Sequence, residues 1–210
     1  DYYQGDPAFE PLAIGGYVPL SKIYSFDPVP DTLSPEAGNN ILGAQANLWT
    51  EYVPDIKHAE YMLYPRVCAL AEITWSPEKS IQFDDFSIRL KDHLKRLKAF
   101  DIHYSNSIYQ VTFQASYDTV TSQIQVQLKN ELEPGKIRYT LDGQEPTLHS
   151  ELYKTPIMID KTTEIKAAYF DDSMEKPQVF DHVIKIHKGL GKDIQLTYPA
   201  SPKYPGSGRW

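Results

Sequence analysis

The period of the apolar residues changes once along this chain, near residues 104–110, and that change limits what can be built on either side of it. Before it, Phe83, Phe86, Leu90, Leu94 and Leu97 recur at steps of three and four, which lines them along one face of a helix. Asp84 or Asp85 is placed to cap that helix, and Lys91, Lys95, Arg96 and Lys98 load its C-terminal half, a solvated face that complements the helix dipole. After the change, Ile124, Val126 and Leu128 alternate with Gln123, Gln125, Gln127 and Lys129, and Ile137, Tyr139 and Leu141 alternate with Arg138 and Thr140. This is the two-residue period of half-buried strands. Asp142-Gly143 is a turn signal, and residues 164–169 and 179–186 read as further strands. Several short strands separated by turns predict a small antiparallel sandwich, so the fold class is α+β with a boundary between residues 106 and 107. The sandwich is expected over 107–196, and 197–210, rich in proline and glycine, reads as a linker.

Upstream, residues 1–39 hold Pro7, Pro11, Pro19, Pro28, Pro30 and Pro35 with Gly5, Gly15, Gly16 and Gly38, a composition of loops and short turns. So long an irregular stretch inside a compact protein is usually functional or belongs to a larger context. Around Pro65 the pattern predicts a short helical turn at Tyr61-Met62-Leu63. A helix with Pro65 in its first turn follows, burying Val67, Leu70, Ala71 and Thr74. Asp171-Asp172 reads as a turn after a strand.

Residues 40–52 read as a strand of an unusual kind. Alternation would put Gly43, Gln45, Asn47, Trp49 and Glu51 on one side and Leu42, Ala44, Ala46, Leu48 and Thr50 on the other. A face of amide, indole and carboxylate groups is expensive to bury without partners, and a polar ligand is one such partner. Trp49 offers a flat apolar surface for the C–H side of a sugar ring, and Glu51 can accept two hydroxyl hydrogen bonds from it. By chemistry alone a buried tryptophan beside a surface glutamate is the commoner outcome.

Other chemistries find little support. A net charge of −7 gives no footprint for nucleic acid or an anionic membrane. The single cysteine, Cys68, lies in an apolar helical pattern, and the six histidines show no metal-ligand spacing. No phosphate loop or other cofactor motif is present, no apolar run is long enough for a membrane span, and the first residues carry no signal-peptide pattern. No cofactor and no metal are therefore expected.

Four motifs in one order carry a resemblance: Asp1-Tyr2-Tyr3-Gln4, Ile14-Gly15-Gly16-Tyr17-Val18-Pro19-Leu20, Gly43-Ala44-Gln45-Ala46-Asn47-Leu48-Trp49-Thr50-Glu51-Tyr52 and Glu60-Tyr61-Met62-Leu63-Tyr64-Pro65-Arg66, continued by Ala69-Leu70-Ala71-Glu72 and Trp75-Ser76. Together they resemble the β-N-acetylhexosaminidases of glycoside hydrolase family 20. Residues 137–147 look like the small β-domain that follows the barrel in many of these enzymes. The resemblance implies that residues 1–106 are the C-terminal part of a (β/α)8 barrel, with 43–50 its eighth strand and 1–4 the end of the seventh. It implies hydrolysis of terminal β-linked N-acetylglucosamine or N-acetylgalactosamine by substrate-assisted catalysis, in which the substrate's acetamido oxygen attacks the anomeric carbon. Tyr3 resembles the tyrosine that hydrogen-bonds the acetamido oxygen, Trp49 a wall of the pocket, and Asp1 and Glu51 ligands of the sugar hydroxyls.

The family's catalytic Asp-Glu pair lies upstream of the position matched by Asp1, so the resemblance implies that this chain alone is inactive. Its expected partners are an N-acetylhexosamine-containing glycan and the N-terminal portion of the same barrel, with no nucleic acid and no membrane insertion. Its expected location is outside the cytoplasm: periplasmic, cell-surface or secreted. A non-catalytic carbohydrate-binding or structural module is the alternative.

Overall fold

The computed structural model describes residues 2–132, 136–171 and 176–192. Asp1, Asp172 and the 197–210 linker lie outside the described residues. Five α-helices occur among these residues: α1 (Leu20–Tyr24), α2 (Pro35–Gly38), α3 (Ile56–Leu63), α4 (Arg66–Trp75) and α5 (Phe83–Ala99). They precede seven strands: β1 (Thr112–Asp118), β2 (Gln123–Lys129), β3 (Ile137–Thr140), β4 (Glu151–Leu152), β5 (Ile157–Ile159), β6 (Thr163–Tyr169) and β7 (Val179–Ile184). The change of period in the sequence is thus the change from helix to sheet.

All strand pairs are antiparallel, in two sheets ordered β1-β2-β5 and β4-β3-β6-β7. Ile124, Val126 and Leu128 are buried from the first sheet, and Ile137, Tyr139, Ile165, Ala167, Phe180 and Ile184 from the second, all in one cluster. This is the expected sandwich, each sheet turning one side inward because its apolar residues fall on alternate positions. Leu141 departs from the pattern: β3 ends at Thr140 and Leu141 is exposed.

The helices follow their local signals, with three corrections. In α3, Asp55 caps the first turn by accepting from His58 N–H at 2.8 Å, and the helix runs two turns rather than the single turn expected at 61–63. Pro65 stands immediately before α4, where its missing N–H is harmless, but the buried positions are Ala69 and Ile73. Leu70 is partly buried against the core, as expected, whereas Ala71 and Thr74 are exposed. In α5, Phe86, Leu90, Leu94 and Leu97 are buried as expected. Gln82, not Asp84 or Asp85, occupies the N-cap position, so the two aspartates act through the helix dipole.

Four side chains lock α1, α4 and α5 together. Tyr24 of α1 donates to Glu72 of α4 at 2.6 Å and stacks on Phe86 of α5 with ring centroids 4.7 Å apart. Arg89 of α5 grips the same carboxylate through both terminal nitrogens, at 2.7 and 2.8 Å. That fork holds Glu72 below the usual carboxylate range, helped by the Tyr24 hydroxyl. Burial, with Glu72 beside it, pushes the Tyr24 phenol up to about 12.

The helical and sheet regions share one buried cluster, and an ion pair fastens them. Asp171, two residues after β6, has a side chain only 7% exposed and accepts from Lys91 of α5 at 2.8 Å and from Lys136 at 3.1 Å. Lys91 therefore does not belong to a purely solvated helix face. The turn aspartate of the sequence reading is a strut between the two regions.

Candidate functional site

The strand expected over residues 40–52 is not formed. Residues 41–49 have no regular structure, and among the described residues none of the N–H groups of 42–49 donates to a backbone carbonyl. A single 3₁₀ turn, Thr50–Tyr52, follows. The reason is lateral: a strand needs a neighbour on at least one edge, and no segment of the described chain pairs with this one. Its alternating sides are consequently both open to solvent, with Leu42 99% and Trp49 70% exposed. Glu51, in the 3₁₀ turn, is exposed as well. Trp49 is thus not the buried tryptophan that chemistry alone makes the commoner outcome, and here it does not line a closed pocket.

Tyr3 is held far more firmly. It forms an isolated parallel bridge with Tyr17, in which Val18 N–H donates to Tyr3 O at 2.9 Å. Gly16 precedes that bridge with φ +70°, and a Cβ there would press into the Tyr2 ring at 2.6 Å, so glycine is required on both counts. Beneath the bridge, the Arg66 guanidinium donates to Tyr2 O at 3.0 Å, to Val18 O at 3.5 Å and twice to Met62 O, at 2.8 and 3.2 Å. One cation thus ties both arms of the bridge to the junction of α3 and α4. Beside it, the buried Gln4 side chain donates to Tyr61 O at 2.7 Å, and the Tyr61 hydroxyl donates to Glu10 at 2.9 Å.

The electrostatics of this cluster are those of groups taken out of water. Burial lowers Arg66 to about 10, against the pull of Glu10. Burial raises the Glu10 carboxyl above the usual carboxylate range, although the Tyr61 hydrogen bond opposes it. The Tyr61 phenol is raised by the same desolvation.

Of the four residues singled out in the sequence, Asp1 lies outside the described residues, Tyr3 is anchored, and Trp49 and Glu51 stand in an unpaired segment. No hydrogen bond or ring contact links Tyr3 to Trp49 or Glu51 among the described residues. None of the three lines the cavity of about 840 Å³ between α4 and α5 or the one of about 810 Å³ bounded by Tyr24, Ile41, Leu42 and Phe83. What sequence reasoning missed is the clamp of Gln4, Glu10, Tyr61 and Arg66. Gln4, Tyr61 and Arg66 fall inside the motifs quoted above, but nothing in their spacing tells that residues 57 or 64 positions apart meet.

Nothing in the geometry points to metal chemistry. Among the described residues no group of three or more His, Cys, Asp or Glu side chains is placed to hold a metal ion. Cys68 is half-buried, and desolvation pushes its thiol up to about 11, the behaviour of an inert packing residue. No described helix is long and apolar enough to cross a membrane.

Comparison with known proteins follows the same division. Residues 1–78 match the family model described as glycosyl hydrolase family 20, catalytic domain, and residues 115–181 match the chitobiase/beta-hexosaminidase C-terminal domain. A protein of Porphyromonas gingivalis named beta-hexosaminidase is 39% identical over 176 residues, covering 79% of this chain and 21% of its own length. A beta-hexosaminidase of Akkermansia muciniphila is 42% identical over 74 residues, covering 35% of this chain and 15% of its own. A beta-N-acetylhexosaminidase of Cellulomonas fimi is 34% identical over 83 residues, covering 39% and 16%. The chain thus spans about a fifth or less of the length of these relatives. It belongs to glycosyl hydrolase family 20, joining sequence of the family's catalytic domain to the C-terminal domain of chitobiases and beta-hexosaminidases.

Proposed function

We propose that these residues supply the sugar-holding side of a β-N-acetylhexosaminidase that removes terminal β-linked N-acetylglucosamine or N-acetylgalactosamine. The observation that carries this reading is the 39% identity to a protein named beta-hexosaminidase over 176 residues, a span that requires both the helical and the sheet region to match. In the proposed reaction the acetamido oxygen of the substrate attacks the anomeric carbon while a carboxylic acid protonates the leaving oxygen. Water then displaces the acetamido oxygen of the resulting oxazolinium, so that the configuration is retained overall. Tyr3 donates its hydroxyl to the acetamido oxygen and holds it in line for the attack, Trp49 stacks on the ring, and Asp1 and Glu51 accept hydrogen bonds from its hydroxyls.

The firm seat of Tyr3 supports its role, since a donor that acts in the transition state is most effective when already in place. Residues 43–50 become the last strand of a barrel when flanked by other strands of a family 20 catalytic domain, which is why they stand unpaired here. That strand then turns Trp49 and Glu51 toward the sugar. The acid and the aspartate beside it come from outside these 210 residues, and the enzyme acts outside the cytoplasm.

A chromogenic N-acetylglucosaminide tests the reading. The 210-residue chain is expected to give no turnover above the uncatalysed rate, because positioned proton transfer alone is worth about 10²–10⁴-fold. The same sequence within a complete family 20 catalytic domain is expected to hydrolyse it, and Tyr3→Phe is expected to lower kcat there. Turnover by the chain alone, or a complete domain indifferent to Tyr3→Phe, would count against the assignment.

A further inference from the structure

The bridge that carries Tyr3 is held from a second side, by the sandwich. Gln110, just before β1, turns its amide oxygen to accept from Asp6 N–H. Gly5 makes this approach possible, because a Cβ there would collide with the Gln110 amide oxygen and with Glu10. Farther along, Glu131, just after β2, accepts from Ser21 N–H in the first turn of α1 at 2.6 Å. Tyr17, Gln110 and Glu131 line one small cavity of about 180 Å³, so both sandwich side chains face the partner of Tyr3 in the bridge. Phe9 packs edge-on against Phe180 of β7 with ring centroids 5.0 Å apart, a third contact from the same stretch of chain. The contacts at Asp6, Phe9 and Ser21 flank the Tyr3–Tyr17 bridge in sequence.

We infer that Gln110 and Glu131 are positioning residues, through which the C-terminal sandwich sets the place of Tyr3. Neither reaches Tyr3 itself. Gln110 fixes the chain three residues after it, and Glu131 fixes the chain three residues after Val18, whose N–H closes the bridge. The sandwich is then more than ballast beside the helical region, since it holds the outer arms of the bridge while Arg66 holds the inner ones. The consequence for catalysis rests on Tyr3 being the acetamido donor; the positioning itself does not.

Residue-resolved amide exchange of the whole chain separates the two. Glu131→Ala is expected to speed exchange at Val18 about ten-fold or more, the scale set by losing one hydrogen bond to a charged acceptor, with the β2 amides unchanged. Glu131→Gln keeps an acceptor oxygen for Ser21 and is expected to hold Val18 within about three-fold of the parent. Gln110→Ala, which leaves Glu131 in place, is expected to speed Val18 as well. Unchanged Val18 exchange in both alanine variants would overturn the inference. So would equal acceleration of Val18 and the β2 amides, which would make these residues contributors to overall stability only. Because Val18 reports the bridge and not a sugar, these results stand or fall separately from the hydrolysis assay.

Discussion

Residues 123–129 and residues 43–50 carry the same kind of signal, side chains alternating in character from one position to the next, yet only the first segment forms a strand. β2 lies between β1 and β5 and pairs with both, and its Val126 is fully buried. The other segment finds no neighbour among the described residues, and its Trp49 is 70% exposed. Alternation states which side of a strand will be buried, but the strand exists only when its backbone groups have partners. The sandwich brings its own partners within some 70 residues of chain; the segment with Trp49 and Glu51 depends on others.

The strongest way to sharpen this contrast is to empty a position in the sandwich core. Ile165 is fully buried, and Ile165→Ala is expected to destabilise the chain by about 2–5 kcal/mol in urea unfolding, including the cavity left behind. Next comes the strut between the regions. Asp171→Asn leaves Lys91 and Lys136 facing an uncharged amide and is expected to cost about 1–3 kcal/mol, held down by the partial exposure of both lysines.

A smaller effect is expected from pH, with opposite signs in two places. Arg89, and then the Tyr24 hydroxyl, hold Glu72 below the ordinary value of 4.5. Its contribution is therefore complete above that pH and lost as pH falls through the lowered value. Burial raises Glu10 and Glu131, so each favours the folded state once protonated, and that gain is lost as pH rises through their raised values. The midpoint of urea unfolding should rise slightly as pH falls from neutral through the raised values of Glu10 and Glu131, and should fall once pH drops below the ordinary value of 4.5 and Glu72 is protonated. Glu72→Gln is expected to remove the acid fall, and Glu10→Gln with Glu131→Gln the rise. The smallest effect belongs to the unpaired segment, where Leu42→Ala and Trp49→Ala are expected to stay within about 0.5 kcal/mol of the parent.

What was legible in the sequence follows the same line. The stripe of α5, the alternation of β2 and β3 and the strand runs of β6 and β7 are readable because each is a local pattern. β1, β4 and β5 were not singled out: β1 is largely exposed along its middle, and β4 and β5 are too short to show a period. In the candidate site, Tyr3 could be picked out through its motif, but not its setting. The Arg66 clamp and the Gln110 and Glu131 contacts join residues from 48 to 110 positions apart. Asp171 showed the same limit, being a turn aspartate by sequence and the buried end of a two-lysine bridge in the fold.

Amide hydrogen exchange along the 210-residue chain compares the two segments most directly. The sandwich is completed by its own strands, while the Trp49 segment has no strand neighbour among the described residues. Amides of β2 and β6 are expected to exchange only through global unfolding, and those of residues 42–49 to exchange at nearly the rate of an unstructured peptide. Protection of residues 42–49 equal to that of β2 would show the segment already paired and would contradict the account.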